Sequence, residues 1–121
     1  MSDVAPPLRV LIVDDDREIR ESLGELLTEE GFAVEASWNG QTALTRLQEG
    51  LRPDVIVLDI TMPAMDGLAF RALQRTQAAI ADIPVVGLTA FPSPEADFEC
   101  LTKPVRFALL LDRIRRLAQR A

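Results

Sequence analysis

The sequence predicts an α/β protein: a parallel β-sheet covered by helices on both faces. Short apolar runs without alternation, at 8–13, 55–58 and 84–89, read as strands buried on both sides. Between them lie stretches whose apolar residues recur at helical spacing, bounded by Asp, Asn, Gly and Pro. Regular alternation of the two patterns implies parallel strands joined by helical crossovers. A third observation points to function. Two of the strands run straight into acids, Asp14-Asp15-Asp16 and Asp59, and open α/β sheets place their ligands at the carboxyl ends of strands.

Strand one covers 8–13. Asp16 is expected to cap a helix reaching about residue 30, with Ile19, Leu23, Leu26 and Leu27 on its inner face and Gly31 as its stop. A second strand spans 32–37. Asn39 caps the next helix, in which Ala43, Leu44 and Leu47 face inward and which Gly50 ends. Pro53 precedes strand three, which ends on Asp59. Asp66 caps a helix over 67–77 that packs through Leu68, Ala72 and Leu73. Strand four covers 84–89 and a short fifth strand 98–101. A closing helix starts near Arg106 and uses Phe107, Leu110, Leu111, Ile114 and Leu117 at helical spacing.

At 121 residues the chain is read as one domain, 8–121, behind a short tail at 1–7. No apolar stretch is long enough to span a bilayer, and the start lacks the basic and apolar segments of a secretory signal. A lone cysteine, Cys100, excludes an internal disulfide and fits a reducing cytoplasm. The formal net charge of −6 argues against nucleic acid or an anionic membrane as a direct partner. Charge is uneven, with acids concentrated in 14–30 and arginines in 106–121. That distribution reads either as two solvated helix faces or as a basic docking surface on the last helix. Twelve of the thirteen basic residues are Arg, so the single lysine, Lys103, stands out as a specific requirement.

Carboxylates delivered to one edge by two strands must bind a cation or shift their pKa values upward. A divalent metal site is the better reading. Five positions converge there: Asp14 and Asp15 after strand one, Asp59 at the end of strand three, Thr89 at the end of strand four, and Lys103 after strand five. The ordered set Val13-Asp14-Asp15, Asp59-x-x-Met62-Pro63-x-x-Asp66-Gly67, Leu88-Thr89-Ala90 and Thr102-Lys103-Pro104 resembles the receiver domain of two-component response regulators. The resemblance covers nearly the whole chain. It implies a doubly wound, flavodoxin-like sheet of five strands in the order 2-1-3-4-5. It also implies that Asp59 accepts a phosphoryl group from a histidine kinase or phosphotransfer protein. By the same resemblance Mg²⁺ is held by Asp14, Asp15, Asp59 and the Thr61 carbonyl, while Thr89 and Lys103 meet the phosphoryl oxygens. The Lys103-Pro104 bond is expected to be cis, and a downstream effector protein or domain reads the switch.

Two departures from that pattern lie together. Between Thr89 and Lys103, eight residues, 90–97, are left for the crossover, too few for a normal crossover helix. Eight extended residues reach at most about 27 Å, enough to recross a strand of about 17 Å. The helix between strands four and five is therefore expected to be missing or reduced, leaving Val86, Leu88 and Leu101 thinly covered. In addition, Cys100 stands where many receivers carry an aromatic ring that follows the Thr on activation. Trp38 reads as rim packing, and Arg17 and Arg20 as solvated. Two other functions compete: a pseudo-receiver that binds partners without phosphorylation, and an Asp-nucleophile phosphatase. The second is disfavoured because Thr61 occupies the place of the general acid in an Asp-x-Asp pair.

Overall fold

The computed structural model describes residues 6–62, 65–91 and 96–119. Five strands, β1 (Arg9–Val13), β2 (Ala33–Ser37), β3 (Val55–Asp59), β4 (Val85–Thr89) and β5 (Glu99–Thr102), form one sheet in the order β2-β1-β3-β4-β5. Every pairing is parallel. Four helices accompany them among the described residues: α1 (Arg17–Glu29), α2 (Gly40–Gln48), α3 (Gly67–Arg75) and α4 (Phe107–Ala118).

The local signals act as the sequence predicts. Asp16 accepts from the N–H groups of Glu18 and Ile19, Asn39 from Thr42, and Asp66 from Ala69, so the first three helices each begin on a side-chain cap. Gly31 and Gly50 end α1 and α2 at φ +95° and +116°, a conformation glycine adopts without cost. The central strands separate two apolar clusters. Val10, Ile12, Val57, Val86, Leu88 and Leu101 pack with Leu27 of α1 and with Leu110 and Ile114 of α4. Leu11, Val13, Ile56, Leu58 and Val85 pack with Leu47 of α2 and Phe70 of α3. Strands filled on both faces have no polar face, which is why their sequences do not alternate.

Some packing differs from expectation. Leu26, Ala72 and Leu73 are exposed instead of facing the core. The crossover from β4 to β5 has no helix among its described residues; residues 92–95, like 1–5 of the tail and Pro63 of the motif, lie outside them. Val86, Leu88 and Leu101 are nevertheless buried, because their side chains point at α1 and α4 and not toward the shortened crossover. The arginines of α4 are largely committed. Arg113 pairs with Glu99 and Asp112, Arg115 with Glu30, and Arg116 with Asp112, which favours solvated, paired faces over a free basic surface.

Gly67 fixes the approach of α3 to β3. Its N–H donates to the Ile60 carbonyl at 2.8 Å, and a Cβ there would lie 2.7 Å from the Ile60 Cα and 2.8 Å from the Asp59 carbonyl oxygen. Those atoms are backbone and cannot turn aside. Gly67→Ala is expected to cost about 1–3 kcal/mol of stability in urea denaturation, as overpacking does. An unchanged midpoint would mean that α3 is free to shift.

Candidate functional site

The order β2-β1-β3-β4-β5 puts β1 and β3 side by side at the centre, where crossovers leave in opposite directions and open a crevice at the strand ends. Asp14 follows β1 and Asp59 closes β3, so their carboxylates meet there. Asp14 is 1% exposed and Asp59 3%, while Asp15 is open to solvent. One carboxylate oxygen from each of Asp14, Asp15 and Asp59 lies within 4.8 Å of the others.

Backbone and base contacts hold this cluster. Asp14 Oδ1 accepts from the Asp16 N–H at 2.8 Å, and the Asp14 carbonyl accepts from Arg20 Nη1 at 2.8 Å. Arg20 is therefore a support for the acidic loop and not a solvated surface residue. Asp59 Oδ1 accepts from the Thr61 N–H at 3.2 Å and lies 3.2 Å from Lys103 Nζ. Lys103 Nζ is also 3.7 Å from Asp14 Oδ2, close enough for attraction but not for a hydrogen bond. Asp14 Oδ2 consequently remains buried without a hydrogen-bond partner.

Burial is the main cause that pushes the Asp59 carboxyl up to about 6, reinforced by the Asp14 charge and opposed by Lys103 and the Thr61 N–H. Asp14 is raised as well, again chiefly by burial, with Asp15 and Asp16 adding to it and the Asp16 N–H and Lys103 opposing. One ammonium does not offset this much buried acid. The donor set is all oxygen, carboxylate-rich and short of positive charge, with an orphaned oxygen at its centre, and it fits a hard divalent cation such as Mg²⁺.

The other predicted residues arrive at the same edge. Thr89 is buried at the end of β4, and its carbonyl accepts from the Lys103 N–H at 2.7 Å. Its hydroxyl donates to the Phe91 carbonyl at 2.6 Å and accepts from the Phe91 N–H at 3.2 Å. The Lys103-Pro104 peptide bond is cis. Cys100, half-buried on β5, has its thiol pushed up by burial, so it is not a poised nucleophile. Trp38, expected as rim packing, is instead 58% exposed, beside the acidic edge at the end of β2.

A family model described as the response regulator receiver domain matches residues 10–115. Response regulator MprA of Mycolicibacterium vanbaalenii is 38% identical, over 94% of this chain and 52% of that protein. The chain thus spans about half the length of the curated relatives it matches. Among solved structures, the chemotaxis protein CheY4 of Vibrio cholerae superposes with a TM-score of 0.84 at 33% identity, covering 92% of this chain and 98% of that one. TrrA of Thermotoga maritima, solved in complex with Mg(2+)-BeF, superposes at 0.79 with 33% identity, covering 91% and 98%.

Proposed function

The chain belongs to the response regulator receiver domain family, and on that premise we propose that it is a phosphoacceptor switch whose acceptor is Asp59. The observation that supports this most is the buried Asp59 carboxylate placed between two further acids and one ammonium. In the proposed transfer, an Asp59 oxygen forms a bond to phosphorus as the N–P bond of a phosphohistidine breaks. The electron pair returns to the imidazole nitrogen of the donor, a histidine kinase or phosphotransfer protein. Such transfer depends on positioning and charge neutralisation more than on covalent help from the acceptor. Lys103, a compact charge 3.2 Å from Asp59, turns to the phosphoryl oxygens, and Thr89 offers its hydroxyl once it leaves the Phe91 carbonyl.

Asp14, Asp15, Asp59 and the Thr61 carbonyl would hold Mg²⁺, which when bound neutralises the charge of the incoming phosphoryl oxygens. Asp15 is the exposed member and makes a clean test. Asp15→Ala is expected to weaken Mg²⁺ binding at least about tenfold by calorimetry, since it removes a charged ligand. Parent-like affinity in the variant would remove Asp15 from the ligand set.

No helix among the described residues is long and apolar enough to cross a membrane, and the proposed setting is the cytoplasm. An effector protein or domain is the proposed reader of the switch. The function itself is tested by adding acetyl phosphate and Mg²⁺: one phosphoryl group per chain supports it, and none would leave the phosphorylation-independent interaction module as the reading.

A further inference from the structure

Beside β4 and β5, next to the short crossover, described side chains pack directly on the sheet. A Cβ at Gly87 of β4 would lie 2.8 Å from Phe98 Cε2 and 2.9 Å from both Cys100 Sγ and Ile60 Cδ1, so the Phe98 ring rests directly on the β4 backbone. Above that ring sits the Arg71 guanidinium of α3, 5.9 Å from its centroid and within cation–π range. Arg71 Nε lies 3.4 Å from Asp97 Oδ1, and Arg75, one turn on, pairs with the same carboxylate. Arg71 is itself anchored: it donates to Gln74 Oε1 at 2.9 Å, and the fully buried Gln74 amide donates to the carbonyls of Ile80 and Ile83. A single acid therefore ties the β5 end of the crossover to α3, while Thr89 ties the β4 end to Phe91.

The geometry points to a latch, formed by Phe98 and Asp97 against Gly87, Arg71 and Arg75, that is closed at rest and opens when Asp59 is phosphorylated. This rests on the phosphoacceptor reading. The latch is one packing step from the chemistry. Ile60, which touches its base, directly follows Asp59, and Gly87 stands two residues before Thr89. The Thr89 hydroxyl cannot donate both to the Phe91 carbonyl and to a phosphoryl oxygen. Turning to the phosphoryl group releases the crossover at one end and disturbs the bed of Phe98 at the other. Interiors packed this closely shift between discrete arrangements and do not deform smoothly. Partly exposed ion pairs such as those of Asp97 contribute little each, so a modest push suffices to release them.

Linkage makes the latch testable, because whatever loosens it must raise affinity for a phosphoryl mimic. Asp97→Asn keeps the side-chain shape and removes the charge that Arg71 and Arg75 share. With beryllofluoride and Mg²⁺ as the probe, calorimetry should show binding about 3- to 10-fold tighter than in the parent. Amide exchange over 98–101 should be faster in the resting variant. Gly87→Ala displaces Phe98 from below and should act in the same direction. In a Phe98→Ala background, Asp97→Asn should add less than it does in the parent, since both act on one latch. If the parent binds beryllofluoride and neither Asp97→Asn nor Gly87→Ala binds it more tightly, the latch is overturned alone. A parent that ignores beryllofluoride overturns the phosphoacceptor reading and the latch with it.

Discussion

Asp59→Asn is expected to abolish phosphoryl incorporation, so intact mass after acetyl phosphate and Mg²⁺ should show one added group on the parent and none on the variant. The substitution is nearly isosteric and leaves the ladder of β3 untouched, which separates chemistry from folding. It removes the proposed oxygen nucleophile, because an amide oxygen shares its electrons with nitrogen and carries no charge. Other carboxylates lie close, but neither shares the geometry of Asp59. Asp15 is solvated, and Asp14 has one oxygen bonded to the Asp16 N–H and the other facing Lys103 at 3.7 Å. Asp59 alone is buried with an oxygen 3.2 Å from the ammonium, which favours the charged form that must attack. A phosphoryl group persisting on the variant would assign acceptance to another residue.

Much of this arrangement was legible because it is written locally. The unbroken apolar run Val55–Leu58, bounded by Pro53 and Asp59, reads as a strand covered twice, and Asp59 then falls at the ligand edge. Asp16, Asn39 and Asp66 cap helices through backbone groups two or three residues away, an interaction that sequence spacing states directly. Length alone predicted a helix missing or reduced in the 90–97 crossover, and none of its described residues is helical. The side chains that pack on the sheet beside that crossover were not legible. Phe98 on Gly87, Arg71 over Phe98 and the Gln74 amide on two carbonyls join residues far apart in sequence. Periodicity carries no record of such contacts. The anchoring of Arg20 was not legible either, since a bond to the Asp14 carbonyl across the loop leaves no mark on periodicity. The thin covering anticipated at Val86, Leu88 and Leu101 failed on parity: along β4, alternate residues face opposite sides, and the position facing the shortened crossover is Gly87.

The buried acids should also make stability fall as pH rises through the mildly acidic range, opposite in sign to a carboxylate held in a favourable ion pair. Asp59 takes up its proton at about 6 in the folded chain against 3.8 ordinarily, chiefly because burial disfavours its charge. Between those values the folded state holds more protons than the unfolded one, so stability decreases with pH. The contribution is fully present below 3.8 and is lost as pH rises through about 6. About two pKa units correspond to a differential on the order of 3 kcal/mol. Asp14 is raised too and acts in the same direction. Other carboxylates titrate in this range, so the parent must be compared with Asp59→Asn in urea at each pH. The variant should match the parent near pH 4 and exceed it by roughly 2–3 kcal/mol at pH 7. Saturating Mg²⁺ at pH 7 should narrow that gap, because a ligand of the folded state stabilises the parent by mass action and finds one charge fewer in the variant. A gap that is the same at pH 4 and pH 7 would mean that Asp59 does not pay for its burial with a raised pKa, and that the acidic pocket is neutralised by protein groups alone.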